Sequence, residues 1–399
     1  MRSSRKGAWR LVALLAAAMM LMAACGKSKD NSSTATTSGG AKTKVAIAFV
    51  GPLTGDNANL GINIRDGMKV AIEEQNAKST KYEYSIKEFD TQGDPAQAPG
   101  QSAKYIPDDS IIGIVGPTFS GETKAVLPEL DKAGLVMISA SATNVALPDV
   151  VPNTKVFHRV IPDDGVQAQG VTDYVTKVLK PKKVGLIHDN TEYGKGLWEG
   201  VVKLLNDAKI DTSTTDSIDP KSQDYSAAVN KMKAANVDLI FYGGYYNEAG
   251  RLKKQLTDAG VKAKFISGDG SLDPGFVVSS GAAGGEGALL TCPCRLATPD
   301  LPGLGGPFAK SYNTLIKKAP GTYSSEGYDS INILIKGIEA GNATRPKLLD
   351  YVENLSSFNG VSKTISFEAN GNVKAGDVFI YQVKSGKIVE LGKTSELAK

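Results

Sequence analysis

From Lys44 onwards, short apolar runs of strand length alternate with stretches whose apolar residues recur at helical spacing. Lys44–Val50 reads as a buried strand. Asn59–Ala77 reads as a helix, with Ile62, Met68, Val70, Ala71 and Ile72 along its packed side. Tyr82–Phe89 alternates as a strand and Pro95–Tyr105 reads as a helix. Ile111–Val115 predicts a strand, Gly121–Ala133 a helix and Leu135–Ile138 a strand. This rhythm means parallel strands joined by crossover helices.

The rhythm then restarts. Helices are expected at Val166–Leu179, Tyr193–Asp207, Tyr225–Ala235 and Asn247–Ala259. Strands are expected at Lys183–His188, Thr212–Ile218, Val237–Tyr242 and Lys264–Ser267. The glycine-rich stretch Gly281–Gly287 reads as a loop. After Pro293 come helices at Gly306–Lys318, Ser325–Ala340 and Arg345–Leu355. Strands follow at Thr364–Phe367, Asp377–Val383 and Lys387–Leu391, the last two joined by a Ser385-Gly386 turn. The fold class is therefore α/β, in two successive units, each a mostly parallel sheet flanked by helices. A cleft between two such units is a natural place for a small ligand.

The first 43 residues follow a different pattern. Arg2, Arg5, Lys6 and Arg10 precede an apolar run from Leu11 to Met22, and Ala23-Ala24-Cys25-Gly26 closes it. A basic leader, a short apolar core and small residues before a cut form a secretory signal. The run is shorter than the ~20 apolar residues that span a bilayer. Cys25 after two alanines resembles the lipobox of bacterial lipoproteins, whose thiol is acylated, with Met22 standing where Leu is commoner. Residues 1–24 are thus expected to be a signal peptide. Residues 25–43 are expected to be a lipidated Cys25 and a polar spacer that buries too little to order itself.

The leader holds four of the 46 basic residues and none of the 42 acidic ones, so 42 of each sign remain. A neutral chain gives no reason to expect nucleic acid as a partner. About 356 residues remain beyond the spacer, more than one core usually serves. Cys292 and Cys294 either close a small ring or stay as thiols; metal binding would need partners that the sequence does not offer.

Catalytic tools are scarce. His158 and His188 are the two histidines, both on apolar strands, and read as structural. His188 and Asp189 are neighbours that point to opposite faces of a strand. There is no GxSxG elbow, no phosphate loop, no HExxH and no dinucleotide fingerprint. Neither an enzyme nor a cofactor is expected. Strand-end loops instead gather binding groups. Gly116–Thr123 carries Thr118, Phe119 and Ser120, with Ser120 placed to cap the next helix, whose amino end suits an anion. Ser139–Thr143 offers hydroxyls; 188–194, 242–245 and 267–270 bring aromatic and acidic side chains.

The stretches VAIAFVGPLTGDNANLG, GIVGPTFSGET, LVMISASAT, VGLIHDNTEYGKG, LIFYGGYYNEAGRLKKQ and FISGDG, in this order, resemble the periplasmic leucine/isoleucine/valine-binding proteins. These are the substrate-binding subunits of branched-chain amino acid ABC transporters. The resemblance implies a type I periplasmic-binding fold of two lobes joined by three crossovers, 44–162 with 293–368 and 163–292 with 369–399. It implies that Ser120, Ser141 and Thr143 hold the α-carboxylate and α-amine. Tyr193 and Tyr245 would close over the ligand, and Asp269 would pair with the ammonium. Leu60, Thr118, Phe119 and Tyr323 would line the side-chain pocket, with Glu326 near its rim.

This chain has a shorter acid at Asp269 and lacks an aromatic at Leu60. A disulfide of enteric members maps to Gly93 and Phe119, where both halves are absent. The expectation is a monomeric, lipid-anchored amino acid binder serving a permease and an ATPase outside a Gram-positive-type cell. An amide, a urea-like compound or an aromatic acid is the alternative ligand, and a sensing ectodomain the alternative role.

Overall fold

The computed structural model describes residues 41–374 and 376–399. The expected signal, Cys25 and all but the end of the spacer lie outside the described residues. Among those described, no helix is long and apolar enough to cross a membrane.

The first sheet is five-stranded and wholly parallel. β1 (Thr43–Gly51) lies between β2 (Tyr82–Asp90) and β3 (Ile111–Val115), followed by β4 (Met137–Ser139) and β5 (Phe157–Arg159). Strand β1 is buried from Val45 to Gly51, which is why it reads as an unbroken apolar run rather than an alternating one. Full burial of residues such as Ile47 and Phe49 contributes about 1.5–3 kcal/mol each. The crossovers are α1 (Ala58–Asn76), α2 (Ala98–Tyr105) and α3 (Ser120–Ala133).

The chain then leaves through α4 (Asp164–Tyr174) and builds a second sheet of seven strands. Its parallel part comprises β6 (Lys183–His188), β7 (Asp211–Ser217), β8 (Leu239–Gly243), β9 (Lys264–Ser267) and β10 (Leu289–Cys292). Helices α5 (Glu192–Asp207), α6 (Ser226–Ala235), α7 (Tyr246–Asp258), α8 (Pro274–Ser280) and the short α9 (Ala282–Gly285) connect them. From β10 the chain returns to the first sheet, adding α10 (Gly305–Ile316), α11 (Ser324–Glu339) and α12 (Arg345–Glu353). Helix α11 packs on α1, and both α11 and α12 on β3. A two-stranded ribbon of β11 (Phe358–Asn359) and β12 (Thr364–Ile365) precedes the last return. There β13 (Phe379–Lys384) pairs antiparallel with β10 and with β14 (Lys387–Lys393), before α13 (Thr394–Leu397).

The expected rhythm of strands and helices is present, with specific differences. The sequence places His158 on an apolar strand but does not delimit β5, because its Phe-His-Arg triplet is short and buries a charge: Arg159 is fully covered. Strand β10 was hidden behind the glycine-rich stretch, which is no plain loop, since α9 lies inside it. The strand expected at Thr364–Phe367 shrinks to β12, and Phe367 makes an isolated bridge with Val373. Helix α4 ends in a wider π-wound turn, Val175–Leu179, closed by Lys180 at φ +49°. The Ser385-Gly386 turn has φ of +50° and +72°, as a two-residue hairpin needs. Cys292 and Cys294 are joined as a disulfide where β10 leaves the second sheet.

Candidate functional site

The site is built from strand-end loops. After β3, Gly116 sits at φ +118°, and a Cβ there would lie 2.2 Å from the Val50 carbonyl, so only glycine permits this turn. The loop delivers Thr118, Phe119 and Ser120 into α3. Ser120 does not cap that helix, contrary to expectation. Its Oγ accepts from the Asn144 amide at 3.2 Å, and the capping role falls to Glu122, whose Oε2 accepts from Phe119 N at 2.7 Å. Glu122 is fully buried, takes a further bond from the Thr91 hydroxyl, and is pushed up to about 7 by burial.

Around this loop lies a lattice of hydroxyls. Ser141 Oγ donates to the Thr118 carbonyl at 2.6 Å and Ser139 Oγ to the Pro117 carbonyl at 2.7 Å. Thr143 Oγ1 is buried with no partner.

Opposite, Asp269 follows β9 in a single turn, Asp269–Ser271, and is fully buried. Its Oδ1 accepts from Tyr193 at 2.6 Å and its Oδ2 from Tyr323 at 2.7 Å. Gly270 N donates to the Tyr193 oxygen at 3.0 Å, and Ser271 Oγ donates to the Gly244 carbonyl at 3.0 Å, which fixes the turn. Tyr323 reaches Asp269 from the start of α11, and its backbone stands at φ +68°. A bulky residue in that left-handed region costs about 1–3 kcal/mol, and such strain persists where the surroundings enforce it. Burial pushes the hydroxyls of Tyr193, Tyr245 and Tyr323 well above their usual range, so all three remain donors.

The Tyr245 ring links the two halves. Its centroid lies 4.4 Å from that of Phe119 and 5.1 Å from that of Tyr193. A crevice of about 420 Å³ opens beside this row, lined by Gly93, Phe119, Asn190, Glu192 and Tyr245. Gly93 lies against the Phe119 ring, where an added Cβ would sit 2.9 Å from it. Leu60 is fully buried in the same apolar cluster as Phe119, Tyr193, Tyr245 and Tyr323. Thr118 is fully buried, its Oγ1 donating to the Val50 carbonyl at 3.4 Å. Glu326 is not at a rim. It is buried, pairs with Lys363 at 3.5 Å, and lines a separate crevice with Cys294 and Asp377.

Two polar residues were not foreseen. Asp164, the first residue of α4, is 2 % exposed, and among the described residues neither carboxyl oxygen has a hydrogen-bond partner. Its backbone N–H donates to the Thr143 carbonyl at 2.8 Å, so it belongs to the same constellation. Its carboxyl is held well above the usual range, first by burial and then by the charge of Asp269. Gln167, one turn on, is fully buried and has an unpartnered Oε1. The sequence did carry a signal. Two acids are adjacent at the start of α4, and Asp163 alone caps it, accepting from Gly165 N and Val166 N. Arg159 does not bond to Asp164: its guanidinium is spent on the Ala142 and Asn144 carbonyls, Asn372 and Asp163.

The histidines stand apart. His158 is buried and pushed down to about 4 by that burial, while the His188 ring lies 4.9 Å from that of Trp198, tilted by 53°. Among the described residues, no group of three or more His, Cys, Asp or Glu is placed to hold a metal ion.

A two-lobed α/β clamp with buried polar groups focused between its sheets defines a binding protein of the periplasmic type. The chain belongs to the periplasmic binding protein family, whose model matches residues 44–387. A Leu/Ile/Val-binding protein homolog of Brucella melitensis is 30% identical over 360 residues, covering 88% of this chain and 94% of that one. The leucine-binding protein LivK of Thermotoga maritima superposes with a TM-score of 0.81 at 25% identity, over 88% of this chain and 98% of its own. The branched-chain amino acid substrate-binding protein LivJ of Streptococcus pneumoniae, solved with isoleucine, superposes at 0.80 with 24% identity, over 88% and 100%.

Proposed function

We propose that this chain captures an amino acid with an apolar, branched side chain between its lobes and presents it to an ABC importer. The observation that carries the reading is the buried acid pair. Asp164 and Asp269 lie out of water beside Thr143 Oγ1 and Gln167 Oε1, which are unpartnered among the described residues, and no basic side chain of those residues bonds to either acid. Such a set calls for a cationic donor, and an α-ammonium supplies three N–H bonds at once. Across the cleft, the first-turn N–H groups of α3 and the Ser120 hydroxyl suit the α-carboxylate. Leu60, Thr118, Phe119 and Tyr323 would receive the side chain, and Tyr193 and Tyr245 would close over it. The relatives named for leucine, isoleucine and valine support this ligand class.

In this reading the lobes are 44–162 with 293–368 and 163–292 with 369–399. Capture is hinge closure, and no bond of the ligand is made or broken. Lipid on Cys25 and the polar spacer would hold a monomeric clamp on the outer face of the membrane, near its permease and ATPase. Calorimetry of the mature chain against the twenty amino acids tests the proposal. Binding of leucine, isoleucine or valine is expected; no response to any amino acid would refute it and turn attention to amides and aromatic acids.

A further inference from the structure

The start of α1 breaks a local rule. Asn57 occupies the N-cap position, where an asparagine side chain normally accepts from the second or third N–H of its own helix. Here it makes no such bond, and its backbone stands at φ −113°, ψ 25°, outside the extended region that capping uses. Its Nδ2 instead donates to Glu248 Oε2 at 3.4 Å, on α7 of the other lobe, while its Oδ1 has no partner among the described residues. The second N–H of α1, that of Asn59, donates to the Tyr246 hydroxyl at 3.4 Å. The Asn59 side chain donates to Asp273 Oδ1 at 2.9 Å, the residue that caps α8. Of the first-turn N–H groups of α1, that of Asn59 is therefore satisfied by lobe two, while those of Ala58 and Leu60 donate to the Gly55 and Asn57 carbonyls.

We propose that Asn57 is an exchangeable latch. In the closed clamp it holds Glu248. When the lobes part, the Glu248, Tyr246 and Asp273 bonds are lost together, which frees the Asn59 N–H and lets Asn57 turn back to cap α1. The exchange returns a bond to the open state, so the two states stay close in energy. A clamp must both close on ligand and release it to a transporter, which needs such a balance. The exposed interlobe ion pair works differently. Lys124 and Glu192 pair at 2.9 Å on the exposed flank, where ion pairs contribute little and are screened by salt.

This inference rests on the proposed ligand class for one readout only. Asn57→Ser keeps a capping hydroxyl but cannot reach Glu248, so it favours the open form alone. Asn57→Ala loses both the cap and the latch. Leucine affinity is expected to fall in the order wild type, Asn57→Ala, Asn57→Ser, with Ser weaker than Ala by about fivefold, the effect of one cap. A plain interlobe contact predicts no gap between the two. Asn59→Ala, which loses only the bond to Asp273, is expected to raise the dissociation rate with association unchanged. Small-angle scattering of the ligand-free proteins should give the largest radius of gyration for Asn57→Ser. Equal affinities for Ser and Ala, or Ala the weaker, overturn the exchange. A wild type that binds no amino acid refutes the ligand reading instead, and the scattering order alone then decides the latch.

Discussion

Tyr323 donates its hydroxyl to Asp269 Oδ2 at 2.7 Å, joining the first residue before α11 to the turn after β9 and so one lobe to the other. The bond holds a buried carboxylate at the level of the aromatic row, and it is made by a residue in a strained backbone conformation.

Replacing Tyr323 with Phe keeps the ring and removes that donor. Asp269 is left with Tyr193 as its one side-chain hydroxyl donor, and a lost bond to a charged group costs about 1.5–3 kcal/mol. Calorimetry should record leucine affinity weakened by at least tenfold; an unchanged Kd would show that the ligand does not depend on this orientation of Asp269.

Asp269→Ala removes the ammonium's expected partner and strands the two tyrosines. Truncating one side of a buried charge pair costs about 2–5 kcal/mol. If affinity survives within a factor of two, the ammonium lies elsewhere.

Asp164 should behave oppositely in two assays. Its carboxyl is buried without a partner, which burdens the ligand-free protein. Asp164→Asn is expected to raise the melting temperature of the ligand-free chain by roughly 1–3 °C while lowering affinity, a stability–function trade-off. A melting point that falls would mean that this acid is satisfied in solution.

Glu122 makes stability depend on pH. Burial raises its carboxyl from 4.5 to about 7, so the folded state binds the proton more tightly than the unfolded chain. The stability this confers is complete below about 4.5 and is lost as pH rises through about 7. Melting temperatures measured from pH 5 to 8 should therefore fall, with Glu248, also raised to about 7, adding to the slope. Glu122→Gln should flatten the curve, and an identical slope in the variant would exclude Glu122 as its source.

Cys25→Ser should leave ligand affinity unchanged and move the protein from the membrane fraction to the medium. Retention on the membrane would rule out the lipid tether.

Much of this was readable beforehand because apolar period and strand-end position are local properties. Strands such as Ile111–Val115 and Lys183–His188 match to the residue, and Tyr193, Tyr245, Tyr323 and Asp269 come together. What stayed hidden depends on distance in space. Asp164 resembles an ordinary helix-start acid until its burial beside Asp269 is seen. Ser120 resembles a cap until Asn144, from the loop after β4, claims its oxygen. Leu289–Cys292 is too short to be told from its glycine-rich approach until β9 and β13 flank it.

The order in which the strands are made has a consequence for biogenesis. Strand β10 lies between β9 and β13, so the second sheet closes only when Phe379–Lys384 arrives, long after Leu289–Cys292 has been synthesised. Pairing so distant in sequence is slow, because loop-closure entropy is lost before the contact forms. Were the expected signal peptide to thread this chain unfolded through a membrane, that delay would keep its second lobe from setting early and jamming the passage.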